Sequence, residues 1–404
     1  MVPVITALLA LSLVIWLFLL LAWGQFWRCD QKLPDRLPHP LDPAQAPPIA
    51  VVIPARNEAE GIGTCVTSLL SQDYPGSVRL IVVDDQSDDG TAEIARSTAQ
   101  ALKATHPGTA DRLTVLPGQP LAPGWTGKLW ALEQGTRYTQ TLDPKPQYLL
   151  LTDADIAHDR QNLSQLVHKA ETESLDLVSL MVQLRCKSNW EKLLIPAFVY
   201  FFQQLYPFPW VNNPQRKMAA AAGGCVLLRS TALNRIGGIG VLRDALIDDC
   251  TLAAQVKGTL QPKNRSFFPI WLGLGPKTQS LRAYDTLDSI WTMVARTAYT
   301  QLQYSPLLLA GTLIGMVLVY LMAPIGLLTG LITQNLSFIL LGGGTWLLMA
   351  LSYWPTVRLY QISPFYALTL PWIGFLYTLM TLDSARRHWQ GKGGAWKGRV
   401  YPQN

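Results

Sequence analysis

A run of 21 apolar residues without a charge, Pro3 to Trp23, constrains this chain more than any other segment. At ~1.5 Å per residue, a helix of that length crosses the hydrocarbon of a bilayer. The run has no small-residue cleavage site, and Arg28, Lys32 and Arg36 follow it, so it reads as a retained anchor. Those cations place the next segment in the cytoplasm. Three more apolar stretches, Pro306 to Thr333, Leu336 to Trp354 and Pro364 to Leu382, stand at the far end. Of the 404 residues, 49% are hydrophobic and 15% charged, but the apolar excess sits at the ends. The middle reads as an ordinary soluble body.

The expected organisation is a transmembrane anchor (1–25), a Pro-rich linker (26–48), a cytosolic catalytic domain (49–300), a C-terminal transmembrane region (301–384) and a basic tail (385–404). Leu33 to Pro48 holds six prolines and is a stiff, extended connection. Leu193 to Val211 is apolar and aromatic but interrupted by Pro196, Pro207 and Pro209. It suits an interfacial helix (193–211) better than a span, with a buried core helix as the alternative. The net charge of +6 is concentrated in the tail "SARRHWQGKGGAWKGR", whose cations and tryptophans suit anionic lipid headgroups, and no nucleic-acid motif is present. Three C-terminal crossings would leave that tail outside, against the positive-inside tendency. An even number is therefore expected, through a re-entrant second stretch at "LGGGTW" or a hairpin in the first. Five cysteines without a CxxC pair and five scattered histidines argue for reduced thiols and against a zinc site.

Within the body, "IAVVIPARNE", "VRLIVVDDQSDDGT", "RLTVLPG", "QYLLLTDADI" and "LDLVSLMVQL" read as strands, with helices over Glu60–Gln72, Thr91–Ala104 and Gly127–Arg137 between them. Continuous apolar strands alternating with helices predict an α/β fold with a mostly parallel sheet covered on both faces. Ligands in such folds sit beyond the carboxyl ends of the strands. Asp84, Asp85, Asp153 and Asp155 all fall there. Two motif-like stretches fail on spacing. "DQSDDG" begins like a calcium loop but has Arg96 at its twelfth position, and "GWTGKLW" has Leu129 where a phosphate loop needs Ser or Thr.

Taken together, "VVIPARNE", "IVVDDQSDDGT", "TDADI" and "LIDDCTLA" resemble membrane-bound inverting glycosyltransferases of family 2, with the GT-A fold, across about 250 residues. More narrowly, "GWTGKLWA", "IPAFVYFFQQLYPF", "AAAAGGC", "MVARTAYTQL" and "GKGGAWKGR" look like the hopanoid-biosynthesis-associated glycosyltransferases of bacteria. Carotenoid glycosyltransferases and ceramide glucosyltransferase are similar, less closely.

The resemblance implies a role for each matching residue. Asp153 faces the ribose or sugar of a nucleotide-sugar, and Asp155 holds Mn2+ or Mg2+, whose charge offsets that developing on a diphosphate leaving group. Asp85 bonds the nucleotide base, while Asp84 reads equally as a structural strand-end carboxylate. Pro54, Ala55 and Glu58 cradle base and ribose. Arg56 is a phosphate contact or an ordinary loop arginine. Lys128, at a helix start, is a pyrophosphate contact or a solvated lysine. In "LIDDCTLA", Asp249 is the base for the acceptor hydroxyl and Asp248 its neighbour, with capping of the following helix as the structural alternative.

Where processive relatives carry Gln-x-x-Arg-Trp, this chain has "MVART", keeping Arg296 toward the diphosphate without Gln or Trp. Loss of the Trp platform favours transfer of one sugar over chain elongation. The expected function is transfer from a UDP-sugar to a lipid in hopanoid biosynthesis at the bacterial inner membrane. A carotenoid or glycerolipid acceptor is the alternative within the enzyme class, and a non-catalytic nucleotide-sugar-binding scaffold the alternative outside it.

Overall fold

The computed structural model describes residues 2–37, 39, 41–103, 108–258, 266–391, 395–396 and 399–400. Part of the linker, Ala104 and much of the basic tail lie outside the described residues. An eight-stranded sheet forms the body: β1 (Ile49–Ala55), β2 (Val78–Asp84), β3 (Leu113–Pro117), β4 (Tyr148–Thr152), β5 (Ile156–Ala157), β6 (Leu177–Gln183), β7 (Cys225–Arg229) and β8 (Ile270–Ser280), in the order β3-β2-β1-β4-β7-β6-β8-β5. The half holding β3, β2, β1 and β4 is parallel. β7 then runs antiparallel to both β4 and β6, and β5 antiparallel to β8. Among the described residues, four of the seven strand pairings are parallel, so the sheet is mostly parallel as expected, with antiparallel pairing confined to β7 and β5. Sequence reading missed β5 and β8, because a strand run of two residues or one broken by glycines carries little apolar signal, and it also missed the short apolar run of β7.

Side chains of β1 alternate between two cores. Ile49, Val51 and Ile53 face α2 (Ala59–Leu70), α3 (Thr91–Lys103) and α5 (Asn162–Thr172), whereas Ala50 and Val52 face α4 (Gly127–Thr139) and α6 (Asn189–Leu205). "DQSDDG" has a structural use. Asp89 accepts from the N–H groups of Ala59 and Thr91, so one carboxylate caps the starts of α2 and α3. Burial raises its pKa but these hydrogen bonds outweigh that and hold it below the usual carboxylate range.

The helix α6 opens with a Ser188–Glu191 capping box and is buried along most of its length between sheet and C-terminal helices. Short helices α7 (Phe208–Val211) and α8 (Ser230–Ile236) lead to α9 (Asp248–Lys257), and α10 (Leu287–Ala295) and α11 (Ala298–Gln301) follow the sheet.

Among the described residues, four helical segments are long and apolar enough to cross a membrane: α1 (Val2–Leu21), Pro306–Thr333, α14 (Leu336–Leu359) and Pro364–Trp389. Pro306–Thr333 is no hairpin. It comprises α12 (Pro306–Met316) and α13 (Met322–Thr333), continuous through a π-helical turn at Val317–Leu321. "LGGGTW" is no re-entrant break either. It lies inside α14, where a Cβ on Gly342 would stand 2.4 Å from Leu327 N, so its glycine serves close helix packing.

The third segment behaves differently. After α14 meets the body, Pro364–Thr369 doubles back along it, and Trp346 Nε1 donates to Leu368 O at 2.9 Å. From there α15 (Leu370–Trp389) returns, with Gly374 against Tyr320 midway along Pro306–Thr333 and Ala385 beside Leu309 and Tyr299. Its end is tied to the body, since Asp383 accepts from Trp291 Nε1 of α10 at 2.9 Å.

Candidate active site

The carboxyl ends of β1, β4 and β8 and the start of α9 surround a cavity of about 350 Å3. Pro54, Glu58, Lys128, Asp153, Asp155, Asp248, Asp249 and Arg296, all expected from sequence, line it together. Ala55, Arg56, Asp84 and Asp85 do not line it; they form the adjoining edge between β1 and β2. There Arg56 Nη1 donates to Asp85 O at 2.6 Å, and Asp85 N–H donates to Ala55 O at 2.7 Å, which joins the two loops. Asp84 Oδ1 is buried without a hydrogen-bond partner, a costly state for a carboxylate oxygen.

The Asp153–Asp155 turn is fixed from beneath. Asn162 Nδ2 donates to His158 Nδ1 at 2.9 Å, which leaves Nε2–H to donate to Thr152 Oγ1 at 3.0 Å. The Thr152 hydroxyl then donates to Gly224 O at 2.7 Å, tying β4 to the "AAAAGGC" segment before β7. Burial pushes the His158 imidazole down to about 3, so it is neutral.

Above the turn the carboxylates are paired with cations. Lys128 Nζ lies 2.8 Å from Asp153 Oδ1 and 3.4 Å from Asp248 Oδ2, and so bridges the β4-end carboxylate and the later acidic pair. Burial works against its charge, but Asp153 and Asp248 outweigh it and raise its pKa. Lys128 is thus held by carboxylates from two elements, with its side chain 21% exposed. Asp155 Oδ2 accepts from Arg282 Nε at 2.7 Å, and Arg282 Nη2 donates to Glu58 Oε1 at 2.8 Å.

Neither residue of the acidic pair caps α9 from outside, since Ile247 holds the N-cap position without a side-chain bond. Asp249 accepts from Gly223 N–H at 2.8 Å and from Cys250 N–H at 2.7 Å, one to each oxygen. Each oxygen keeps a second lone pair for a substrate proton. Burial, and then the Asp248 charge, push the Asp249 carboxyl up to about 6. That is a carboxylate suited to act as a base near neutral pH.

Arg282 and Tyr284, two and four residues past β8, were not found from the sequence. "SLRAYD" carries no motif, and only the pairing of Ile156 with Ser280 brings Arg282 beside Asp155. The far wall of the cavity is apolar, with Met181, Leu184, Phe198 and Phe202.

The donor set suits a hard divalent cation, as it offers carboxylate oxygens only. Arg282, lodged between Asp155 and Glu58, marks a place where positive charge is already held. Among the described residues no three His, Cys, Asp or Glu side chains form a metal-holding group. Further ligands would therefore come from a diphosphate and water, as is usual for Mg2+.

Residues 47–258 match the family model described as glycosyltransferase like family 2. The chain is 48% identical over 56 residues to the glycosyltransferase AglE of Haloferax volcanii, covering 14% of this chain and 18% of that protein. It is 31% identical over 120 residues to the 4,4'-diaponeurosporenoate glycosyltransferase of Staphylococcus haemolyticus, covering 30% of this chain and 27% of that one. The matched segments thus span less than a third of either relative. A solved mannosyltransferase, PcManGT from Pyrobaculum calidifontis in complex with GDP-Man and Mn2+, superposes with a TM-score of 0.51 at 17% identity, covering 95% of this chain and 97% of its own. That likeness concerns the fold, a GT-A-type sheet with flanking helices.

Proposed function

Because the chain belongs to the glycosyltransferase-like family 2, we propose that it moves a single sugar from a nucleotide-sugar, a UDP-sugar in our reading, to a membrane lipid with inversion. The observation that carries this is the cavity itself. Donor-side carboxylates Asp153 and Asp155, the raised-pKa Asp249 and the apolar wall of Phe198 and Phe202 border one space. A polar reaction centre beside an apolar wall suits a lipid that brings its headgroup hydroxyl to Asp249.

In this reading Asp249 removes the proton of the acceptor hydroxyl as its oxygen bonds the anomeric carbon. The bond from that carbon to the diphosphate breaks on the opposite face, with its electron pair leaving on the diphosphate. Asp153 orients the sugar or ribose, Asp85 and the β1 loop hold the base, and Arg296 faces the leaving group. A divalent cation held by Asp155, Mn2+ or Mg2+, would supply charge neutralisation for the diphosphate.

In this reading catalysis takes place on the cytosolic face of the bacterial inner membrane, and the cations after α1 support the cytosolic side. The path of Pro364–Trp389 supports an even number of C-terminal crossings: Pro306–Thr333 leaves the body, α14 returns, and the last segment enters to half depth and comes back. Arg386 and Arg387 then share the body's side. A reporter fused at the C-terminus that is active only in the cytosol checks this; activity only outside refutes it.

A hopanoid is the acceptor we favour. The similarity to a 4,4'-diaponeurosporenoate glycosyltransferase favours a carotenoid-type acid as the second reading. Lipid mass spectrometry on cells that make both, expressing the chain or its Asp249→Asn form, separates them. A hexose-sized increment on one lipid class in the unmodified strain alone identifies the acceptor. No difference between the two, at equal expression, refutes transfer.

A further inference from the structure

Asp155 is closely packed within the site. It is buried, its carbonyl accepts from Leu281 N–H at 2.8 Å, and a Cβ on Gly61 of α2 would come within 3.1 Å of its Cα. A cation that reaches Asp155 must therefore come to it. In this structure the cation there is Arg282, which bonds Asp155 and Glu58 at once and draws two carboxylates together around one positive charge. Backbone on both sides of Arg282 is fixed by the β5–β8 pairing and by Tyr284 N–H donating to the buried Glu191 at 2.9 Å. Its side chain is 36% exposed, whereas those of Asp155 and Glu58 are 10% and 13% exposed. The arginine side chain is thus the part free to leave.

We propose that Arg282 is an internal counter-cation for the Asp155 metal locus, and that a divalent ion binds there only by displacing it. The proposal rests on the metal-dependent donor reading above. Its physical content is competition. A metal arriving alone must break two charge-assisted hydrogen bonds, which offsets much of its attraction to Asp155. A metal arriving with a nucleoside diphosphate brings anionic oxygens that complete its coordination, so the same exchange becomes favourable. Arg282 thereby makes metal and nucleotide binding cooperative and keeps the site from filling with metal alone. Without it, Asp155 would lose the positive charge it now holds and attract a divalent cation more readily.

The test is Mn2+ titration, followed by electron paramagnetic resonance, of the detergent-solubilised full chain with and without UDP. For Arg282→Gln we expect Mn2+ alone to bind about tenfold tighter than to the unmodified protein, and the enhancement by UDP to shrink correspondingly. Arg282→Lys, which keeps a charge but loses the two-pronged bridge, should fall between them, and it decides the matter if the Gln form fails to fold. Equal or weaker Mn2+ binding by the variants, with UDP-dependent binding intact in the unmodified chain, overturns the counter-cation alone. Absence of Mn2+ binding in every form, UDP present, overturns the metal reading and the counter-cation together.

Discussion

The parallel half of the sheet and the half beyond β4 are built by different means. In the first, β1, β2, β3 and β4 follow one another with helices between, and each candidate carboxylate sits at the end of its own strand or within three residues of it. In the second, β7 inserts antiparallel between β4 and β6, and the residues that finish the cavity come from α6, α9, the end of α10 and the loop after β8. The first half is assembled from neighbours in the chain. In the second, one decisive contact, Arg282 to Asp155, joins residues 127 apart. On the proposed function, the donor would be held by a locally determined unit, while the acceptor side would depend on packing with the C-terminal helices.

The sharpest probe of this division is Asp249→Asn, which leaves the donor half untouched. Turnover should fall by roughly a thousandfold, the range for loss of a general base, while UDP-sugar affinity in a binding assay stays level. A parallel loss of donor affinity would break the division. Gly342→Val lies farther off, in α14. A side chain there meets Leu327 backbone and should cost about 1–3 kcal/mol or more of stability, seen as a lower thermal midpoint, again with donor affinity unchanged.

Thr152→Val strikes the join between the halves. It removes the donor to Gly224 O and the acceptor for His158, at a cost of about 1–3 kcal/mol, and it should weaken donor binding and turnover together. If only stability changed, the β4–β7 seam would not couple the two sides. The smallest effect is expected from Asp248→Asn, read in the pH dependence of turnover. In the proposed role Asp249 acts deprotonated, and its pKa is raised to about 6, so activity should be lost as pH falls through that value. Removing the neighbouring negative charge lowers the Asp249 pKa, so this acidic limb should move down, by on the order of one pH unit.

The division also explains what could be read in advance. Strand-end residues Asp84, Asp85, Asp153 and Asp155 were legible because an apolar run stops where they begin, a pattern confined to a few residues. "LIDDCTLA" was legible only through resemblance to known enzymes, since an acidic pair at a helix start looks locally like a cap. Arg282 was illegible, because its place is set by β5, a strand of two residues, pairing with the end of β8. The course of Pro364–Trp389 was equally hidden. Length and hydropathy describe a span, and only the contacts of Leu368, Gly374 and Asp383 with their neighbours reveal that the segment turns back.

The neutral His158 beneath the Asp153–Asp155 turn carries one more implication. With a pKa of about 3 it takes up no proton anywhere in the physiological range, although its imidazole is built into the scaffold of the site. The hydrogen-bonded floor is thus electrically silent, and cellular acidification reaches the reaction centre through its carboxylates rather than through the histidine that usually senses it.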